Sequence, residues 1–69
     1  GDILEWLKGM RDKKGMSQEE VARAAEMKRA SYSNIENGRR TPSVKVAKRI
    51  AAVLGFEWTK FFEDESRSV

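Results

Sequence analysis

An all-α fold of five short helices is what this 69-residue sequence predicts. Three observations carry that prediction. Apolar residues recur at three- and four-residue intervals, helix start and stop signals punctuate the chain at short spacing, and no stretch alternates polar with apolar as a strand would. A chain this short encloses one core, so a single domain is expected over residues 1–64, with a frayed tail at 65–69.

Each element has its own signal. Ile3, Leu7 and Met10, with Trp6 beside them, put an amphipathic helix at residues 2–13, ended near Gly15. Ser17-Gln18-Glu19-Glu20 has the form of a capping box, so a second helix starts there. It carries a narrow stripe of Val21, Ala22 and Ala25 and runs out at Glu26-Met27. A third helix runs from Lys28 or Arg29, with Tyr32, Ile35 and Glu36 on one face and Asn37-Gly38 as a left-handed stop. Arg39-Arg40-Thr41-Pro42 is a polar connection, and Pro42-Ser43 suits the entry to a fourth helix. Val44, Ala47, Ile50, Ala51 and Leu54 are its apolar face, and Gly55 ends it. Trp58, Phe61 and Phe62 at i, i+3 and i+4 make a short aromatic helix, expected to serve the core more than a contact surface.

Composition removes several classes of function. Apolar residues are 39 % of the chain and the mean hydropathy is −0.70, with no 18-residue apolar run to cross a bilayer. The absence of Cys and His excludes disulfides, the usual zinc ligand sets, histidine bases and thiol nucleophiles. No nucleophile–base pair can be named, so an enzyme is not expected, nor is a cofactor, a metal or a small-molecule substrate. RNA binding is disfavoured, because no aromatic platform on a strand is present to stack bases.

The net charge of +3 becomes informative only by position. Residues 1–16 are nearly balanced, with Lys8, Arg11, Lys13 and Lys14 against Asp2, Glu5 and Asp12. In residues 23–49, Arg23, Lys28, Arg29, Arg39, Arg40, Lys45, Lys48 and Arg49 face only Glu26 and Glu36, a local charge of +6. Residues 56–69 reverse the sign to −2. A uniformly solubilising surface needs no such segregation; either a solvated basic face or a nucleic-acid surface accounts for it.

The segment from Gln18 to Asn37 concentrates the information. Two short helices joined by a tight turn can cross steeply where small residues let the backbones approach, and Ala22 and Ala25 stand where that contact belongs. Lys28, Arg29, Ala30, Ser33 and Asn34 are then free of core duty on a helix whose width fits the DNA major groove. Arg29 can bond a guanine edge through two nitrogens, Asn34 can pair with adenine, and Ala30 can touch a thymine methyl.

Gly15-Met16-Ser17-Gln18-Glu19-Glu20-Val21-Ala22, followed by Ser31-Tyr32-Ser33-Asn34-Ile35-Glu36-Asn37-Gly38-Arg39-Arg40-Thr41-Pro42-Ser43, resembles the Xre/Cro-type helix-turn-helix domain of bacterial and phage repressors. Ile50 to Phe56 is similar to that family's closing segment, and the resemblance runs from about Ile3 to Phe62. It implies a compact, five-helix, lambda-repressor-like domain whose second and third helices form the motif. It further implies a cytoplasmic, nucleoid-associated regulator, bacterial or phage-encoded, that binds double-stranded operator DNA as a homodimer. In that arrangement the two third helices enter successive major grooves of a near-palindromic site.

Carried over residue by residue, the base-contacting positions are Lys28, Arg29, Ala30, Ser33 and Asn34. Gln18 matches a residue that contacts phosphate and can also approach a base. Asn37, Gly38, Arg39 and Arg40 match a loop that clamps the backbone through amides and cations, and Arg11 and Glu36 match an ion pair between the first and third helices. Two departures bear on this. Glu26 replaces the glycine the family favours in the turn, so a left-handed residue there is strained or the turn is of another kind. Ser43 stands where some phage relatives carry a minor-groove arginine, which puts minor-groove reading in doubt. The rival to a self-sufficient regulator is an interaction module of an antitoxin or of a larger protein, and Gly1 in place of Met is the expected mark of trimming or a tag scar.

Overall fold

The computed structural model describes residues 3–63; Asp2, the domain boundary expected at 64 and the tail expected at 65–69 lie outside them. Four α-helices and a closing 3₁₀ segment follow one another: α1 Glu5–Lys13, α2 Gln18–Ala24, α3 Arg29–Glu36, α4 Val44–Leu54, and the 3₁₀ segment Trp58–Phe62. The expected fifth α-helix is therefore a tighter 3₁₀ turn, which suits a run of only five residues that packs by its rings.

Local chemistry sets most of the helix ends. The Ser17 hydroxyl accepts from the Glu20 amide at 3.1 Å while the Glu20 carboxylate accepts from the Ser17 amide at 2.8 Å, the reciprocal pairing that satisfies two otherwise orphaned donors. Ser43 caps α4 by accepting from the Val46 amide at 3.2 Å. At the C-terminal ends a left-handed residue follows each of the four helices: Gly15, Glu26, Gly38 and Gly55. The next amide folds back onto the last turn, as in Met27 to the Ala22 carbonyl at 2.9 Å and Arg39 to the Asn34 carbonyl at 2.9 Å.

Glu26 is the one non-glycine among these, at φ 60°. Of the two expectations for this turn, the left-handed residue is the one found. Its carboxylate lies 3.9 Å from Arg49 on α4, an exposed pair worth little, whereas a side chain in this region costs about 1–2 kcal/mol. Glu26→Gly is expected to raise stability by about 0.5–1 kcal/mol after the extra freedom of glycine in the unfolded chain is deducted. Thermal unfolding reads this as a rise of several degrees; an unchanged or lower midpoint would mean that the Arg49 contact outweighs the strain.

The core consists of Leu7 from α1, Val21, Ala22 and Ala25 from α2 and its cap, Tyr32 and Ile35 from α3, and Ile50 and Leu54 from α4. Ala22 and Ala25, both almost fully buried, let α2 and α3 approach closely. Two expected core positions fall outside. Ile3 precedes α1 and is 53 % exposed, and Val44 opens α4 and is 49 % exposed, because α4 turns the 47/50/51/54 stripe inward and residue 44 lies in its first, unpacked turn. At the other end Trp6, Phe56 and Phe61 meet edge to face at centroid separations of 5.2–5.5 Å, tying α1 to the 3₁₀ segment. Trp58 and Phe62 stay half-buried beside them, with Lys48 over the Trp58 ring at 5.3 Å.

Candidate nucleic-acid interface

Helix α3 divides cleanly into two faces. Tyr32, Ile35 and Glu36 are buried, while Lys28, Arg29 and Ala30 are exposed and Ser33 and Asn34 half-exposed. The structure thus brings the sequence-predicted base-contacting residues onto one outward strip of a helix anchored from behind by Tyr32 and Ile35.

The start of α3 breaks the rule that favours acidic groups at a helix N-terminus. Lys28 makes no side-chain cap, and the first turn holds no acidic residue. Cations at the positive end of a helix are unfavourable unless an anion sits opposite, and local rules are broken most often where function demands it. Lys28, Arg29, Arg39 and Arg40 are all exposed, and none forms an ion pair among the described residues. Three other cations of the basic block are occupied elsewhere, Arg23 lying 3.3 Å from Glu19, Arg49 near Glu26 and Lys48 over Trp58, while Lys45 on α4 is exposed.

The loop after α3 offers less than the sequence suggested. The amides of Asn37, Gly38, Arg39 and Arg40 donate to carbonyls of Ser33, Ile35 and Asn34 at 2.9–3.2 Å, closing the end of α3. Its amides are thereby engaged, and what remains for an external anion is the Arg39–Arg40 guanidinium pair and the Asn37 carboxamide. The Asn37 Nδ2 also donates to the Ser33 Oγ at 3.3 Å, so the loop is tied to the outward strip. Gly38 serves by its left-handed backbone, φ 77°, which brings the two arginines round beside α3.

Behind this surface lies a saturated carboxylate. Arg11 Nε donates to Glu36 Oε2 at 2.8 Å and Arg11 Nη2 to Oε1 at 3.1 Å, a bidentate fork. The Tyr32 hydroxyl donates to Oε2 at 2.8 Å and Gln18 Nε2 to Oε1 at 2.9 Å. Arg11 Nη1 is held in turn by the Met16 carbonyl at 2.9 Å. Burial opposes the charge on Glu36, but the hydrogen bonds from Arg11, Gln18 and Tyr32 together outweigh it and hold the carboxyl below its ordinary range. Burial, then the hydrogen bond to Glu36, pushes the Tyr32 hydroxyl far up, and Glu36 raises Arg11. Two of these donors go beyond the expected Arg11–Glu36 pair: Tyr32, whose signal in the sequence is its i, i+4 spacing to Glu36 on one face, and Gln18, expected at phosphate and found also donating to Glu36.

A family model described as Helix-turn-helix matches residues 7–61, from the core leucine of α1 to the aromatic cluster. The chain belongs to the Xre/Cro-type helix-turn-helix family. Its α2 and α3 are the two helices of the motif, and Glu26 lies in the turn between them. Among curated proteins, this helix-turn-helix chain is similar to an uncharacterized HTH-type transcriptional regulator, YqaF, of Bacillus subtilis (strain 168). They are 60 % identical over 62 residues, which span 90 % of this chain and 82 % of that protein. It is also similar to the ImmF control region 10 kDa protein of Bacillus phage phi105, 41 % identical over 74 % of this chain and 57 % of the relative. The Control protein C.MunI of a Mycoplasma species is 39 % identical over 84 % of this chain and 80 % of the relative. The helix-turn-helix family is one of DNA-binding transcription regulators. No helix among the described residues is long and apolar enough to cross a membrane.

Proposed function

We propose that this helix-turn-helix protein is a sequence-specific transcriptional repressor that binds double-stranded DNA as a homodimer on a near-palindromic operator. The observation that carries this reading is the placement of four exposed cations, Lys28, Arg29, Arg39 and Arg40, without ion pairs among the described residues, around the outward strip of Ala30, Ser33 and Asn34. Arg39 and Arg40, with Asn37, grip phosphates and set the register, while Lys28, Arg29, Ala30, Ser33 and Asn34 face the bases. Two protomers place their α3 helices one helical turn apart, and occupancy blocks polymerase by position. The control functions printed in the names of the phage and Mycoplasma relatives favour the same regulatory role.

Selection of a binding site from random DNA, followed by a salt titration on that site, tests the reading. The selected site is expected to be two-fold symmetric, and log Kobs to fall against log salt with a slope of order −2 per protomer from Arg39 and Arg40 alone. A flat salt dependence, or equal affinity for all sequences, would overturn it. Light scattering on the DNA-bound species checks the expected stoichiometry of two protomers per site.

A further inference from the structure

The chain has two asparagines, Asn34 and Asn37, and the second is followed by Gly38. Asn37 is the C-terminal cap of α3 at φ −80° and ψ 0°, and Gly38 behind it takes the left-handed conformation, φ 77°, that stops the helix. This turn requires glycine, and glycine leaves its own peptide nitrogen without a side chain to shield it. Such a nitrogen, next to an asparagine carboxamide, is a nucleophile one bond rotation away from closing a five-membered ring. Asn34 is placed differently: it lies inside the helix, and the β-branched Ile35 crowds the nitrogen that follows it.

The folded turn holds this reaction off. At ψ 0° the Gly38 nitrogen eclipses the amide nitrogen of Asn37 and is turned away from its Cβ. The Gly38 amide donates to the Ile35 carbonyl at 3.1 Å, and the Asn37 Nδ2 donates to the Ser33 Oγ at 3.3 Å. Attack therefore needs the end of α3 to open. Beyond Asn37 that end is closed by the amides of Gly38, Arg39 and Arg40, the last two both on the Asn34 carbonyl, and Asn37 and Gly38 are half-exposed. A helix end with so few, partly exposed bonds opens at a lower free energy than the whole domain unfolds.

We propose that Asn37 is a self-modifying site, at which the chain's own backbone, with water as the only co-reactant, converts the loop after α3 from a cationic clamp to a charge-compensated one. The deprotonated Gly38 nitrogen attacks Asn37 Cγ, the new C–N bond closes a succinimide, and the Cγ–Nδ2 bond breaks as ammonia leaves. Water then adds to either ring carbonyl and opens the ring to aspartate or isoaspartate, so that water is consumed and ammonia released with no oxidation or reduction. The new carboxylate stands two and three residues before Arg39 and Arg40, where it pairs with a guanidinium otherwise free for phosphate. The isoaspartate form also lengthens the backbone at the turn that brings those arginines beside α3. Bound DNA engages the same loop and keeps it closed, so the free protein ages faster than the bound one. The effect on DNA rests on the DNA-binding reading above; the chemistry at Asn37 does not.

The test incubates the full chain at neutral and at mildly alkaline pH and follows both asparagines by peptide mapping with mass spectrometry. Asn37 is expected to convert to aspartate and isoaspartate, faster at the higher pH because the attacking nitrogen must lose its proton, while Asn34 stays intact. Unfolding in urea is expected to speed conversion at Asn37 roughly tenfold, and saturation with the site selected from random DNA to slow it. Asn37→Asp, the product made directly, is expected to bind that site about fivefold more weakly than the native protein at about 0.15 M salt, with a salt slope smaller by about 0.9. Native protein should lose affinity on incubation, whereas Asn37→Gln, whose longer side chain closes a six-membered ring far more slowly, keeps whatever affinity it starts with. No conversion at Asn37 in the folded chain, equal conversion at Asn34, or a rate that unfolding leaves unchanged overturns the site. Asn37→Asp binding as tightly as the native protein, or a rate indifferent to DNA, overturns its link to the clamp. Failure of the native protein to discriminate among DNA sequences overturns the DNA-binding reading and that link with it, while the mapping still decides the chemistry at Asn37.

Discussion

Arg11→Met is expected to destabilise the domain by about 3–5 kcal/mol, because it strands the Glu36 carboxylate in the interior without its cation. The Glu36 side chain is 4 % exposed and that of Arg11 12 %, so water cannot replace the lost fork. A domain of this size has about 3–10 kcal/mol of stability in total, so the variant is largely unfolded at 37 °C or melts far below the native protein. Urea unfolding followed by circular dichroism measures the effect. Combining Arg11→Met with Glu36→Leu is expected to recover part of the loss, since the stranded charge is removed with its partner. Recovery stays incomplete, because the Tyr32 hydroxyl and the Gln18 amide then lack their acceptor. A single-variant loss below about 1 kcal/mol, in the range of exposed pairs, would show that this network contributes no more than a surface contact.

Asn34→Ala and Arg39→Ala are expected to damage DNA binding in distinguishable ways. Asn34 sits on the outward strip of α3, and its loss should erase discrimination worth about 1–3 kcal/mol at one base pair, with other positions unaffected. Arg39 stands in the loop beyond α3 without an ion-pair partner among the described residues, so its loss should weaken binding to all sequences alike and reduce the salt slope by about one. Competition binding against a panel of single-base variants, repeated at several salt concentrations, separates the two signatures. An unchanged sequence preference in Asn34→Ala would move the reading register to other residues of α3. A base-specific defect in Arg39→Ala would show that the loop enters the groove.

Much of the fold was legible because its determinants are local. The Ser17–Glu20 capping box lies within one turn of chain. The 3.6-residue stripe of α4 is likewise read within one helix, and Gly15, Gly38 and Gly55 end their helices where glycine alone adopts the left-handed conformation without strain. Glu26 was legible as a conflict between residue type and turn, and its resolution was not: the folded-back Met27 amide and the packing of Met27 against the core hold the strained residue in place. Ile3 and Val44 were misplaced for the opposite reason. Their spacing fits the stripes, but residues just before α1 or in the first turn of α4 have no neighbouring element to bury them. The amides of the Arg39–Arg40 loop looked available because the sequence does not reveal how the preceding helix terminates.

The sequence by itself determined four helices, the outward basic strip and the membership of its motif, since each follows from residues within a few positions of one another, although α1 starts at Glu5 and not at residue 2 and α2 ends at Ala24, before Glu26-Met27. The Arg11–Glu36 pair is implied by the resemblance, but only the tertiary structure decided that Gln18 and Tyr32 share that carboxylate. Gln18 lies 18 residues away in the chain, and hydrogen-bond geometry between elements that far apart depends on how α1, α2 and α3 pack.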